Sequence, residues 1–325
     1  MISIIIPLYN GEEYIGNIIN CFSKQLYKNF ELVFVNDGST DDSYNQLLYY
    51  KERSGLNVTI INQVNQGVSA ARNIGIKESK GDYLCFCDVD DLVEDTYLYD
   101  MYNILNQRET QIVFCKHKVI KAPYNQDLFS NYIDTGHVKI VDMLTCLRDF
   151  LYGRLKSGCC TIMVSKEILL NNHLQFAEGF KYSEDLHMLW RIIANCNKIA
   201  YLDKTLYKYL LRPNSATSKF NEDRFDGYVL MKELEVYFES KTPDFSSEYK
   251  KYGAAKLMWS IVWQASNYKD RVQYNLFIRK YNIKNELKKL ITFNNAKVAI
   301  SSFLFIISPL LFKILSSKYG AKFIH

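Results

Sequence analysis

Two hydrophobic periods alternate along the first 120 residues. An unbroken apolar run at 2–8 is typical of a strand buried on both faces, and apolar residues then recur at helical spacing over 12–24. Strands alternating with helices of this length imply right-handed βαβ crossovers, so we predict an α/β fold with a mainly parallel, doubly wound, Rossmann-like sheet. The same alternation predicts further strands at 31–36, 57–62, 82–87 and 111–115, and further helices at 41–53, 68–79 and 95–107.

The C-terminal quarter is helical in pattern and basic in charge. Residues 1–240 have a net charge of −6, whereas residues 241–325 have a net charge of +11. Within the basic part, the uncharged segment 298–312 contains Pro309 and is short for a hydrocarbon core of ~30 Å. It is either a buried helix or a helix lying in the plane of an anionic membrane surface, and we favour the second. The lysines that flank it are Lys288, Lys289, Lys297, Lys313, Lys318 and Lys322.

Composition narrows the class of protein. The chain is 48% hydrophobic and 23% charged, which is ordinary for a globular protein of 325 residues. Its eight cysteines form no CxxC pair and its five histidines have no metal-binding spacing, so we predict neither disulfides nor a zinc site. The first residues carry no basic segment of the kind that precedes a signal sequence, and we expect a cytoplasmic protein.

Polar residues follow the predicted strands, at the sheet edge where α/β proteins bind ligands. Asp37 opens an Asp-Gly-Ser-Thr turn, which is equally typical of a helix cap, and 88–91 reads Asp-Val-Asp-Asp. No glycine-rich phosphate loop is present. Because two carboxylates separated by one residue supply hard oxygen ligands, Asp88 and Asp90 predict a divalent cation, Mg²⁺ or Mn²⁺.

In this order, the segments resemble the successive motifs of the family 2 glycosyltransferases. The resemblance covers residues 1–110 and implies a GT-A fold, a nucleotide-diphosphate-sugar donor and inversion at the anomeric carbon. The matching segments are Ser-Ile-Ile-Ile-Pro-Leu-Tyr-Asn at 3–10, Val-Asn-Asp-Gly-Ser-Thr-Asp at 35–41, Gln-Gly-Val-Ser-Ala-Ala-Arg-Asn-Ile-Gly at 66–75 and Asp-Val-Asp-Asp at 88–91.

The resemblance also implies roles for individual residues on the donor side. Arg72 has two alternatives, contact with the donor phosphates or packing of its helix against the acidic site. The other implied donor-side residues are Pro7 and Tyr9 against the uracil face, Asp37 at the uracil N3 edge, Gly67 in the nucleotide-sugar site, Asp88 near the ribose and Asp90 on the metal.

An inverting transfer needs a base that deprotonates the acceptor hydroxyl. The segment Ser-Glu-Asp at 183–185 resembles the acidic segment of the family, which makes Asp185 the candidate base and Glu184 an acceptor or supporting contact. These acids also suit a helix N-terminus, which is expected to lower the pKa of Asp185. Further on, Arg212 and Ser215 resemble a loop that closes over the donor diphosphate.

Together these features predict an enzyme that transfers one sugar, from a UDP-sugar, onto a glycan or lipid-linked glycan acceptor in bacterial capsule, exopolysaccharide or lipopolysaccharide synthesis. We expect it at the inner face of the cell membrane and not on nucleic acid. A nucleotidyltransferase and a catalytically silent nucleotide-sugar-binding or scaffold protein are the alternatives. The predicted domains are a catalytic domain at 1–220, with a nucleotide-binding half at 1–110 and an acceptor half at 111–220, and a basic helical region at 221–325.

Overall fold

The computed structural model describes residues 1–121, 134–211, 220, 222–266, 278 and 281–319. The chain divides into two compact units. The first comprises Met1–Leu147, Leu155–Phe180 and Glu184–Pro213, and the second comprises Arg148–Arg154, Lys181–Ser183 and Asn214–His325.

The first unit is an α/β structure. Its N-terminal part alternates strands and helices as the sequence predicts, because continuous apolar runs form strands buried on both faces. The elements are β1 (Ile2–Leu8), α1 (Glu12–Ser23), β2 (Phe30–Asp37), α2 (Ser43–Arg53), β3 (Val58–Gln63), α3 (Val68–Glu78), β4 (Tyr83–Phe86), β5 (Leu92–Val93), α4 (Tyr97–Arg108), β6 (Ile112–Lys121), β7 (Val138–Val141), α5 (Met143–Leu151), β8 (Ile162–Ser165), α6 (Lys166–Asn171), α7 (Glu184–Ile193) and β9 (Ile199–Leu211). Only the first part of α5 belongs to this unit, because its residues from Arg148 onward are part of the second unit.

The described strands form one sheet with the order β3-β2-β1-β4-β8-β6-β9-β5, and β7 pairs with β9. The half that contains β1 to β4 is parallel throughout. The strand predicted at 111–115 does not pair with β4, because β8 lies between them and is antiparallel to both. The prediction of a mainly parallel doubly wound sheet is confirmed, with antiparallel pairings confined to the other half.

One glycine sets how closely α3 approaches β1. A Cβ atom at Gly75 would collide with the side chain of Ile5, so only glycine allows this packing. Arg72 lies three residues earlier on α3 and is buried, so the same close approach of α3 to β1 helps to position its guanidinium.

The second unit is built largely of helices. They are α8 (Phe225–Lys241), α9 (Pro243–Ala265), α10 (Ile283–Lys289), α11 (Ala296–Ile307) and α12 (Pro309–Tyr319). The predicted interruption at Pro309 is present: α11 ends at Ile307 and α12 begins at Pro309. The hydrophobic spacing at 272–290 also predicts a helix, and part of this range lies outside the described residues. No helix in the described ranges combines the length and the apolar character that a membrane crossing requires.

Candidate active site

The polar ends of three neighbouring strands meet at one edge of the sheet. β1 pairs in parallel with β2 on one side and with β4 on the other, so the residues that follow these strands leave the sheet together. Tyr9 follows β1 and is 52% exposed, and Pro7 near the end of the strand is partly buried. Asp37 ends β2, and Asp88 lies just beyond β4. The predicted clustering of these side chains at one edge is therefore present.

Asp37 is buried and organises the loop before α3. Its Oδ1 accepts hydrogen bonds from the side chain of Gln63 at 2.6 Å and from the backbone N–H of Gln66 at 2.8 Å, and its Oδ2 accepts from the backbone N–H of Gly67 at 2.9 Å. Gly67 has φ +90° and ψ 166°, a conformation open essentially to glycine alone. The carboxylate is thus held in a fixed orientation, and its contact with a base stays a prediction.

Arg72 joins two acids that are far apart in the sequence. Its Nη2 donates to Asp88 Oδ1 at 3.0 Å and its Nη1 donates to Glu184 Oε1 at 3.1 Å, while the guanidinium carbon lies 5.3 Å from the centre of the Phe176 ring. The Arg72 side chain is only 6% exposed. This geometry matches the alternative in which α3 packs against the acidic site. A contact between Arg72 and the donor phosphates stays an untested prediction.

The three acids after β4 fall into two groups. Asp91 is buried, and it accepts hydrogen bonds from the Tyr207 hydroxyl at 2.6 Å and from the Leu210 backbone N–H at 2.9 Å. Burial and the neighbouring Asp88 and Asp90 raise the pKa of Asp91 well above its ordinary value. Asp91 therefore anchors the turn from within, whereas Asp88 and Asp90 remain partly exposed.

Tyr207 is a part of this site that the sequence did not reveal. Its hydroxyl donates to Asp91 and accepts from the backbone N–H of Asp88 at 3.3 Å, so β9 fixes the turn from the side. Tyrosine is abundant in this chain, with 25 residues, and the resemblance of the segment that begins at Tyr207 to the family's loop implies no role for this tyrosine. Only the pairing of β9 with its neighbours brings this tyrosine to the acids.

Asp185 is the second residue of α7 and is partly buried. Its Oδ1 accepts from the Leu186 backbone N–H at 2.7 Å. Apart from its chain neighbours, the one described atom within 4 Å of a Cβ atom built at Gly158 is Asp185 Oδ2, at 3.7 Å. A side chain at position 158 would therefore contact Asp185 Oδ2.

The expectation that the helix N-terminus lowers the pKa of Asp185 is wrong in direction. Burial raises the pKa of Asp185 above its ordinary value, and the nearby Arg72 guanidinium opposes this increase only in part. Burial and the adjacent Asp185 likewise raise the pKa of Glu184 to about 7. The two carboxyls therefore interact as a pair beside one buried arginine.

The donor set at the sheet edge suits a hard divalent cation shared with a substrate. Among the described residues, no three histidine, cysteine or acidic side chains converge as a ready-made cage. Asp88 keeps 34% of its side chain exposed, and only its Oδ1 is engaged by Arg72. Mg²⁺ typically binds one or two carboxylates together with substrate phosphates, so Asp88 and Asp90 fit that mode of binding.

Two predicted donor contacts, Arg212 and Ser215, lie outside the described residues.

His187 gives a prediction about stability and pH. It is buried on α7, and burial, with a smaller effect of Arg191, lowers its pKa to about 4, from an ordinary value of ~6.5. As the pH falls, the His187 imidazole therefore takes up a proton at a higher pH in the unfolded chain than in the folded chain. The contribution of neutral His187 to the free energy of unfolding is complete above about pH 6.5. It is lost as the pH falls toward 4, and this loss is on the order of 3 kcal/mol. We expect His187→Gln to flatten the pH dependence of the free energy of unfolding across this range.

The measurement is urea unfolding of parent and variant at about pH 7 and about pH 4. His137→Gln is the matched control, because His137 is exposed and its replacement should leave the parent's pH dependence unchanged. Parallel losses of stability in the parent and in His187→Gln would show that another group is responsible.

The comparisons with known proteins agree with the motifs. Residues 3–148 match the family model described as Glycosyl transferase family 2. Glycosyltransferase GlyA from Streptococcus pneumoniae serotype 4 is 26% identical over 307 residues, which cover 89% of this chain and 42% of GlyA. The minor teichoic acid biosynthesis protein GgaB from Bacillus subtilis is 27% identical over 234 residues, covering 69% of this chain and 25% of GgaB. The chain therefore spans less than half of the length of these two relatives.

Solved structures share the fold. Staphylococcus aureus TarS 1–349, in complex with UDP-GlcNAc, has a TM-score of 0.67 at 20% identity and covers 99% of this chain and 92% of its own. The mannosyltransferase PcManGT from Pyrobaculum calidifontis, in complex with GDP-Man and Mn²⁺, has a TM-score of 0.54 at 14% identity and covers 95% of this chain and 87% of its own. The predicted fold is confirmed, and the family-model match at residues 3–148 agrees with the predicted family.

Proposed function

We propose that the chain is a family 2 glycosyltransferase, and that it is an inverting, metal-dependent enzyme that transfers one sugar from a UDP-sugar. One observation carries the proposal: Arg72 bonds both Asp88, at the donor edge of the sheet, and Glu184, beside the candidate base Asp185. Donor-side and acceptor-side acids are thereby held in one cluster.

On the donor side, Tyr9 and Asp37 would bind the uracil ring of the donor, and Asp88 and Asp90 would hold Mn²⁺ or Mg²⁺. The bound cation would supply neutralisation of the charge that develops on the departing diphosphate. The buried hydrogen bonds of Asp91 hold the turn so that Asp88 and Asp90 do not need to reorganise when the donor binds.

On the acceptor side, Asp185 Oδ2 takes the proton of the acceptor hydroxyl. The acceptor oxygen forms a bond to the anomeric carbon from the face opposite the leaving group, and the bond between that carbon and the diphosphate oxygen breaks, releasing UDP. Because Oδ1 is engaged by the Leu186 N–H, the carboxylate presents Oδ2 in one orientation. The raised pKa of Asp185 makes the carboxylate a stronger base than an exposed aspartate.

The acceptor we propose is a glycan or lipid-linked glycan of a bacterial surface polysaccharide, at the inner face of the cell membrane. The teichoic acid role in the name of GgaB supports this class of acceptor. The exposed apolar residues near the C-terminus support a membrane location.

The test is an assay of UDP release from a panel of UDP-sugars, with and without Mn²⁺ and with candidate acceptors. We expect one donor to give acceptor-stimulated release that EDTA abolishes and that Mn²⁺ restores. We expect Asp90→Asn to show no release that Mn²⁺ restores. Asp95→Asn, which changes an exposed acid nearby, should keep the release that Mn²⁺ restores. Saturable UDP-sugar binding without transfer to any acceptor would identify a silent binding protein, and release that is unaffected by EDTA would remove the metal from the proposal.

Gly158 gives a prediction about the acceptor. Its backbone is extended, with φ −131°, so alanine fits without strain, yet its methyl group would lie against Asp185 Oδ2. We expect Gly158→Ala to lower kcat/KM for the acceptor about 10- to 100-fold, because the attacking hydroxyl is displaced from the base. The KM for the donor should not change. Rates measured against each substrate, with thermal unfolding as the control for folding, decide this prediction. Parent-like acceptor kinetics in both Gly158→Ala and Gly158→Val would contradict it.

A further inference from the structure

The helix α11 buries polar residues and exposes large apolar ones. Ser301 and Ser302 are buried, and Ser301 Oγ accepts a hydrogen bond from Trp259 Nε1 at 2.8 Å. On the other side of the helix, Ile300, Phe303 and Ile307 are 61%, 50% and 60% exposed. Val298 and Phe305 of the same helix are buried as well, so α11 carries large apolar residues on both sides, whereas a surface helix usually turns polar residues to the solvent.

The exposed apolar side continues into α12. Leu310 and Leu311, directly after the interruption at Ser308, are 42% and 48% exposed. The inner sides of the two helices pack together, with the rings of Phe305 and Phe312 5.2 Å apart. We call the exposed set the outer face, and it consists of Ile300, Phe303, Ile307, Leu310 and Leu311.

An exposed apolar residue is ordinary on its own, but a continuous set of them marks an interaction surface. The charge of the segment of sequence that carries the outer face indicates its partner. Residues 287–325 contain six lysines and no acidic residue. Two copies of such a surface would repel each other, whereas a surface of anionic phospholipids attracts it.

We propose that the outer face lies in the headgroup region of a membrane that contains anionic phospholipids. The side chains of Phe303, Ile307, Leu310 and Leu311 would then reach the boundary between the headgroups and the acyl chains. Helices that bind in this way have one strongly apolar side and lysines beside it. The choice of a membrane as the partner rests on the membrane location given in the proposed function, but the inference does not depend on sugar transfer. It assigns the contact to the junction of α11 and α12.

The test is flotation of the full chain with phosphatidylcholine vesicles, with and without phosphatidylglycerol. We expect binding to the anionic vesicles, weakened by salt, and a loss of at least ~100-fold in partitioning for the triple variant Ile300→Ser, Phe303→Ser and Ile307→Ser. The double variant Val229→Ser and Val236→Ser is the matched control, because both valines are exposed on α8 of the same unit, and it should bind as the parent does.

Equal binding by the triple variant and the parent, or no binding by the parent, would overturn the inference. A parent dimer that the triple variant abolishes, without vesicle binding, would assign the outer face to a second copy and overturn it as well. UDP release without vesicles is measured on the same samples. A parent chain that releases UDP but does not bind vesicles would overturn this inference and leave sugar transfer standing, whereas a parent that binds vesicles but releases no UDP would do the opposite.

Discussion

Asp185→Asn is expected to lower the turnover number for sugar transfer by about 10³-fold, with little change in donor binding. The substitution keeps the shape of the side chain and keeps Oδ1 as the acceptor of the Leu186 N–H, so α7 should begin unchanged. It removes only the ability of the group at Oδ2 to take a proton, and general base catalysis typically contributes 10² to 10⁴ in rate.

The pH dependence gives this prediction a second readout. Because burial raises the pKa of Asp185, the parent rate should rise as the pH increases through that raised value, where the carboxylate becomes ionised. Asp185→Asn should lose this rise. Glu167→Gln, at an exposed acid in the first turn of α6, is the control for removing a negative charge from a helix start. An Asp185→Asn enzyme with the parent's rate and pH profile would exclude Asp185 as the base.

Arg72→Met should destabilise the first unit by about 3–5 kcal/mol, the range observed when one partner of a buried ion pair is removed. The reason is that Asp88 Oδ1 and Glu184 Oε1 both lose their charged donor, and Glu184 is almost wholly buried. Transfer should fall as well, because the cluster no longer holds α7 against the sheet edge. Urea unfolding and UDP release measure the two effects.

A double variant tests whether this loss comes from the uncompensated acid. Arg72→Met combined with Glu184→Gln should recover part of the stability, because the neutral amide needs no cation. Arg53→Met is the control, since Arg53 is 57% exposed beside Glu52 and its loss should cost less than about 1 kcal/mol. No recovery in the double variant would show that Arg72 stabilises the fold by packing alone.

The sequence predicted the parallel half of the sheet well because each element there has a clear period. The run at 2–8 is typical of a buried strand, and the helices between the next strands predict the parallel crossovers that give the order β3-β2-β1-β4. The insertion of β8 between β4 and β6 was not predictable from the pattern, since β8 is a four-residue strand whose partners are decided by long-range pairing.

The candidate site also contains residues that the sequence predicts and contacts that only long-range folding creates. Short motifs predicted roles for Asp88, Asp90 and Asp185, but they did not predict that Arg72 bridges two acids, because its partners lie 16 and 112 residues away in the chain. The pKa direction of Asp185 also depended on the fold. The helix terminus is visible in the sequence and favours ionisation, whereas the burial that outweighs it exists only once α7 packs on the sheet.

The central claim is that the acids after β4 and the base on α7 serve one pocket. A crystal structure of the Asp185→Asn chain with UDP-sugar and Mn²⁺, with the metal located by its anomalous scattering, tests this claim most directly. The account predicts one Mn²⁺ held by Asp90 and the diphosphate, with the anomeric carbon facing residue 185. A donor bound away from Asp90, or an anomeric carbon separated from residue 185 by protein, would contradict it.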